Sequence, residues 1–139
     1  MTDASPVPYE GPAPSLDDFV RLAEAALERL PAPFRTAAGE VEIRVLDFAD
    51  EETLAEMGIE DPFELTGLYQ GVDLARRSVL DPSPEVSMVF LYRRPILDEW
   101  AERGDVGLAQ IIEHVLIHEI GHHFGLSDDD IDAIEAAAG

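Results

Sequence analysis

A chain of 139 residues is one domain's worth and can close a modest hydrophobic core. Nine basic against thirty acidic residues give a formal net charge of -21, which excludes capture of nucleic acid or of an anionic membrane surface, since both need positive patches, and suits a cationic ligand better. There is no cysteine, so disulfides, a Cys nucleophile and thiolate metal sites are excluded, and any metal must be held by imidazole and oxygen.

Residues 1–14 read as a flexible leader, because Pro6, Pro8, Pro12 and Pro14 remove backbone donors and little there can be buried. The leader has neither the basic nor the apolar part of a secretory signal. A single domain is expected over residues 15–139. Ser15 followed by Asp18 resembles an N-cap arrangement, and Leu16, Phe19, Val20, Ala23, Leu27 and Leu30 recur at helical spacing up to Pro31. Val41, Ile43 and Val45 alternate with Glu42 and Arg44, the period of a half-buried strand. Asp50 offers an N-cap for a short helix through Met57, stopped by Gly58. A short extended segment is expected around Leu68 to Val72. A strand follows over Val86 to Tyr92, with Val86, Met88, Phe90 and Tyr92 on one face and Ser87, Val89 and Leu91 on the other, both partly covered.

Pro95 suits the first turn of a helix in which Ile96, Leu97 and Trp100 share a face until Gly104. The next helix, Val106 to Phe124 with Gly125 as its stop, carries Ile112, Leu116, Ile120 and Phe124 at four-residue steps and is expected to be the central core helix. A last helix, Asp128 to Ala138, opens with acidic residues at its positive end. The most nearly apolar run, Val115 to Ile120, is interrupted by His118 and Glu119 and is far short of the ~20 residues a membrane span needs. A cytoplasmic location is the default expectation.

All the histidines, His114, His118, His122 and His123, sit within ten consecutive residues of the expected core helix. His118 and His122 are four apart, which puts their Cβ atoms roughly 5 to 6 Å apart on one face, a separation two imidazoles can span to reach one zinc ion. Glu119 is turned ~100° from His118 and points beside the metal, where a carboxylate can take a proton from a water activated there and pass it to a leaving amine. Catalytic zinc usually has three protein ligands. Gly125 lets the chain reverse, and Asp128 is the residue at the right offset to return under the metal. His123 lies roughly 140° from His118 and is expected to pack, cap a carbonyl or face solvent. His114, one turn before His118, is expected to support the site, with ligation as the alternative. Gly121 in mid-helix marks a close approach of another segment or of a bound substrate. A calcium loop over Asp128, Asp129, Asp130 and Asp132 fits poorly, because the required Gly and Glu are missing.

The run from His118 to Asp128, H-E-I-G-H-H-F-G-L-S-D, resembles the H-E-x-x-H-x-x-G-x-x-D signature of the small bacterial zincin-like metallopeptidases, the minimal zincins. Leu68-Tyr69-Gln70-Gly71 and Leu91-Tyr92-Arg93-Arg94-Pro95 are similar to further segments of that family. The resemblance implies an α+β fold: a compact zincin-like core with a small mixed β-sheet packed on several helices, including a central active-site helix. It also implies Zn²⁺ held by His118, His122 and Asp128, with Glu119 as general base in peptide-bond hydrolysis. The metzincins have a similar signature, but Met1, Met57 and Met88 all precede the motif here, so no Met-turn follows it. Zincins bind the peptide along an edge strand, for which Val86 to Tyr92 is the expected element. Tyr69 and Tyr92 are candidates for stabilising an oxyanion. The expected partner is a peptide or protein substrate, with no nucleic acid and no membrane, and a monomer is the default. The alternative is a non-catalytic metal-binding or interaction module on the same scaffold, using its acidic surface.

Overall fold

The computed structural model describes residues 13–39, 41–71 and 87–138. Most of the expected leader, and Val72 and Val86 at the ends of two expected strands, lie outside the described residues. The described residues form six α-helices and a three-stranded mixed sheet, an α+β fold.

Helix α1, Leu16–Arg29, begins where Ser15 and Asp18 form a reciprocal capping box, the Ser15 hydroxyl accepting from the Asp18 amide and the Asp18 carboxylate from the Ser15 amide. These hydrogen bonds, with Arg21 beside it, hold the Asp18 carboxyl below its ordinary range. Helix α1 buries Phe19 and Ala23 of the stripe read from the sequence, together with Ala26, whereas Leu16 and Val20 stay exposed. Pro31 does not end helical structure for long. A second helix, α2 (Ala32–Ala38), starts immediately after it and was not expected. Pro33 in its first turn needs no intrahelical donor there, and Phe34 from this helix is sealed in the core against the edge of Phe124, with ring centroids 5.8 Å apart.

Strand β1, Val41–Leu46, alternates half-buried and exposed residues. Helix α3, Glu51–Met57, is capped by the Asp50 side chain on the Thr53 amide and stopped by Gly58 at φ 69°. Strand β2, Gly67–Gln70, and strand β3, Ser87–Tyr92, complete the sheet. Helix α4, Arg93–Arg103, starts two residues before Pro95 and stops at Gly104. Helix α5, Leu108–His123, is the central helix, and α6, Asp128–Ala138, closes the described chain.

The strand order β1-β3-β2 corrects one expectation. Strand β3 is central, paired in parallel with β1 and antiparallel with β2, so it cannot be the edge that receives a peptide. Its two faces explain why. Ser87, Val89 and Leu91 turn into the main core with α1 and α5, while Phe90 and Tyr92 pack on a smaller cluster with Ala49, Leu54 and Leu65. A strand covered on both faces belongs in the middle of a sheet. Strand β2 is the edge next to α5. The Tyr92 amide donates to the Thr66 carbonyl at 2.9 Å, and bonding alternates along an antiparallel ladder. With Leu68 and Gln70 opposite Phe90 and Met88, the polar backbone groups of Gly67 and Tyr69 therefore point away from β3.

The main core joins α1, α2, α5, α6, β1 and β3, with Ile112, Leu116, Ile120 and Ile131 fully buried. Gly121 belongs to this packing: a Cβ there would meet Ile131 Cδ1 at 2.5 Å, so α6 lies directly on α5. The close approach expected at Gly121 is therefore to another segment of the chain. No helix among the described residues is long and apolar enough to cross a membrane.

Candidate metal and catalytic site

Helix α5 carries His118 and His122 on the side away from Ile112, Leu116 and Ile120, and the chain then reverses in a defined way. The Leu126 amide donates to the Gly121 carbonyl at 3.1 Å and the Gly125 amide to the His122 carbonyl at 2.9 Å, with Gly125 at φ 76°. This is a Schellman closure, which needs the left-handed residue that glycine supplies. One residue on, the Ser127 hydroxyl accepts from the Asp130 amide and the Asp130 carboxylate from the Ser127 amide, both at 3.2 Å, which starts α6. Two local motifs thus fix where Asp128 lies. Its Oδ1 is 3.5 Å from His122 Nε2 and 3.8 Å from His118 Nδ1, so one carboxylate oxygen faces a nitrogen of each imidazole.

Glu119 sits beside this trio, under β2. The backbone amide of Tyr69 donates to its carboxylate, one of the groups that β3 leaves unpaired. Gly67 makes the approach possible, because a Cβ there would meet Val115 Cγ1 at 2.5 Å and Glu119 Cγ at 3.4 Å. Burial pushes the Glu119 carboxyl above its ordinary range; His122 and the Tyr69 amide pull it down, and Asp128 adds to the rise. A carboxylate held by one amide and raised by desolvation is a stronger base than an exposed one, which suits it to accept and return a proton.

His118, Glu119, His122 and Asp128 line one wall of a cavity of about 480 Å³. Gly67, Leu68 and Tyr69 of β2 form the other, and Met57 and Leu65 add apolar surface. The four residues singled out by the sequence motif therefore meet at one opening.

On the far side of His118 is a second group of donors. His114 Nδ1 is 2.9 Å from Glu135 Oε2, His118 Nε2 is 3.3 Å from Glu135 Oε1 and 3.4 Å from Asp132 Oδ1, and the His114 and His118 rings are 4.5 Å apart. His114, His118 and Glu135 bring one ligand atom each within 4.8 Å of one another, a candidate metal-binding cluster. Glu135 was not singled out from the sequence, and Asp132 only as part of a poorly fitting calcium loop. The signal was present: Asp128, Asp132 and Glu135 stand at i, i+4 and i+7, one face of α6, while Ile131 is buried on another.

His123 packs, one of the roles expected for it. It is fully buried, with Nδ1 2.9 Å from the Tyr69 hydroxyl, which also donates to Ser87 Oγ at 3.1 Å. This contact ties β2 to α5 and directs the Tyr69 hydroxyl away from oxyanion stabilisation. Tyr92 is also unsuited to that role, because it is buried in the smaller cluster and its phenol is pushed up to about 12, chiefly by burial and then by Asp50 and Glu119.

The donor set fits zinc chemically. Imidazole nitrogen and carboxylate oxygen are ordinary ligands for this ion. Among the described residues the donors already within 4.8 Å of one another are those of His114, His118 and Glu135, and not those of His118, His122 and Asp128; the buried atoms without a hydrogen bond, His118 Nε2 and Glu135 Oε1, belong to that first group. A search of curated proteins gives no match. A family model described as zincin-like metallopeptidase matches residues 38–138, from the end of α2 through α6. With the central helix, the mixed sheet and the histidine site in place, the chain belongs to the zincin-like metallopeptidase family.

Proposed function

We propose that the protein is a zinc-dependent peptidase, with His118, His122 and Asp128 as zinc ligands and Glu119 as general base. The observation that carries this reading is the meeting of these side chains in one cavity, with the Glu119 carboxylate buried and held by the Tyr69 amide. When bound, Zn²⁺ supplies Lewis acidity that polarises a carbonyl and acidifies water. Glu119 then accepts a proton from the attacking water and delivers it to the leaving amine nitrogen. The backbone groups of Gly67 and the Tyr69 carbonyl, on the outer edge of β2, offer an extended peptide main-chain partners along the cavity, and Met57 and Leu65 offer an apolar contact for a side chain.

The test pairs elemental analysis of protein never exposed to chelator with cleavage of a peptide library. The reading expects about one zinc per chain, chelator-sensitive hydrolysis, and loss of hydrolysis but not of zinc in Glu119→Gln. Stoichiometric zinc without hydrolysis in the wild type would instead favour a metal-binding module whose acidic face recruits a partner.

A further inference from the structure

His118 offers its two ring nitrogens to two different donor sets. Nδ1 faces Asp128, next to His122, whereas Nε2 faces Glu135 and Asp132, next to His114. We propose that His114, His118, Asp132 and Glu135 form a second zinc position, alternative to the one at His122 and Asp128, with His118 as the ligand common to both.

The distances support a shared cation. Four ligands at ~2.0 to 2.1 Å around a tetrahedral ion stand roughly 3.3 to 3.4 Å apart. His118 Nε2 lies 3.3 Å from Glu135 Oε1 and 3.4 Å from Asp132 Oδ1. The widest separation within the cluster of His114, His118 and Glu135 is no more than 4.8 Å, and the half-exposed His114 side chain has room to close it. A plain hydrogen bond between His114 and Glu135 leaves a cost. His118 Nε2 and Glu135 Oε1 are both buried and, although 3.3 Å apart, make no hydrogen bond with each other or with another group, and a buried polar atom without a hydrogen bond is costly. One cation bonded to both removes that cost. A path from solvent also exists: a separate cavity of about 250 Å³ opens on His114 and Glu135 from the side of Gln110 and Arg103, away from the cavity that holds Glu119. Arg103 stays turned to Glu99, at 3.6 Å.

The two positions differ in kind. At His122 and Asp128 the protein supplies three ligands with a general base alongside, an open arrangement. The second position supplies two imidazoles and two carboxylates, the closed four-ligand arrangement of a storage or structural site. A neutral imidazole has one lone pair to give, so a zinc ion at one position removes His118 from the other. Zinc held at the second position leaves Glu119 without its metal.

This inference rests on the proposed function only for the meaning of the first position, and the experiment separates the two. Zinc content and affinity are measured by competition with a chromophoric chelator, and folding is checked by circular dichroism. His122→Ala/Asp128→Asn changes two exposed side chains and is expected to keep one zinc per chain; adding His114→Ala and Glu135→Gln is expected to abolish it. His114→Ala/Glu135→Gln alone is expected to keep one zinc, at the first position, and the wild type to bind one zinc and not two. Folded His122→Ala/Asp128→Asn without zinc overturns the second position. Two zinc ions in the wild type overturn the sharing of His118. Loss of zinc in His114→Ala/Glu135→Gln, with retention in His122→Ala/Asp128→Asn, sinks the peptidase site and leaves the second position standing. The single variants His122→Ala and Glu135→Gln give the same contrasts if a multiple variant does not fold.

Discussion

On one side of α5, Ile112, Leu116 and Ile120 are sealed against α1, β3 and α6; on the other, His114, His118, His122 and Glu119 meet carboxylates and two openings to solvent. The apolar side is paid for by burial alone and tolerates no polar group without a partner. The histidine side runs the other way: a buried carboxylate is kept beside exposed acids, and two buried polar atoms make no hydrogen bond. The contrast teaches that the first side supplies stability which the second side spends on pre-arranged chemistry, and substitutions on the two sides should separate these effects.

The largest expected effect is on the chemical side. Glu119→Gln keeps an acceptor for the Tyr69 amide but cannot take a proton, so hydrolysis should fall on the order of 10²- to 10⁴-fold with zinc content unchanged. Peptide cleavage alongside elemental analysis checks this. On the packed side, Leu116→Ala should destabilise the fold by about 2–5 kcal/mol, because the residue is fully buried. Urea unfolding measures it, and the surviving folded fraction should still bind zinc. A loss of zinc affinity beyond the unfolded fraction would show that the two sides are not separable.

Gly121 tests the junction of the sides. Gly121→Ala gains ~1 kcal/mol of helix propensity but drives a methyl into Ile131. Overpacking costs roughly 1–3 kcal/mol, so a small net loss is expected. Ile131→Ala removes both atoms that would clash, Cδ1 and Cγ1, and in the double variant the two changes should be less than additive in cost. The smallest effect concerns pH. The Glu119 carboxyl lies above its ordinary range in the folded state because of burial, so the folded chain binds the proton more tightly than the unfolded chain. Stability of the metal-free protein should therefore be fullest below the ordinary glutamate range and decline as pH rises through the raised value. Metal-free Glu119→Gln should unfold at a higher temperature than its parent at neutral pH, and the gap should close in acid. An unchanged gap across that range would show that burial of the charge is not what separates the two proteins.

The elements legible in the sequence are those specified within a few residues. Ser15 with Asp18, Asp50 with Thr53, and the glycines at 58, 104 and 125 set helix ends through local hydrogen bonds or left-handed backbone. The spacing of His118 and His122, and the offset to Asp128, are likewise fixed by helical pitch and one Schellman turn. Helix α2 was not legible because Pro31 reads as the end of helical structure, although a proline in a first turn, such as Pro33, is harmless.

What the sequence by itself determined was the helix that bears the motif, the face on which His118 and His122 stand, and the exclusion of thiolate chemistry. Only the tertiary structure decided that β3 is central and β2 lies at the edge over Glu119, because strand order depends on which partners cover each face. It also brought Asp132 and Glu135 to the far side of His118. Side chains on a separate helix reach that ring only after Ile131 has packed against Gly121, a contact that no spacing within either helix encodes.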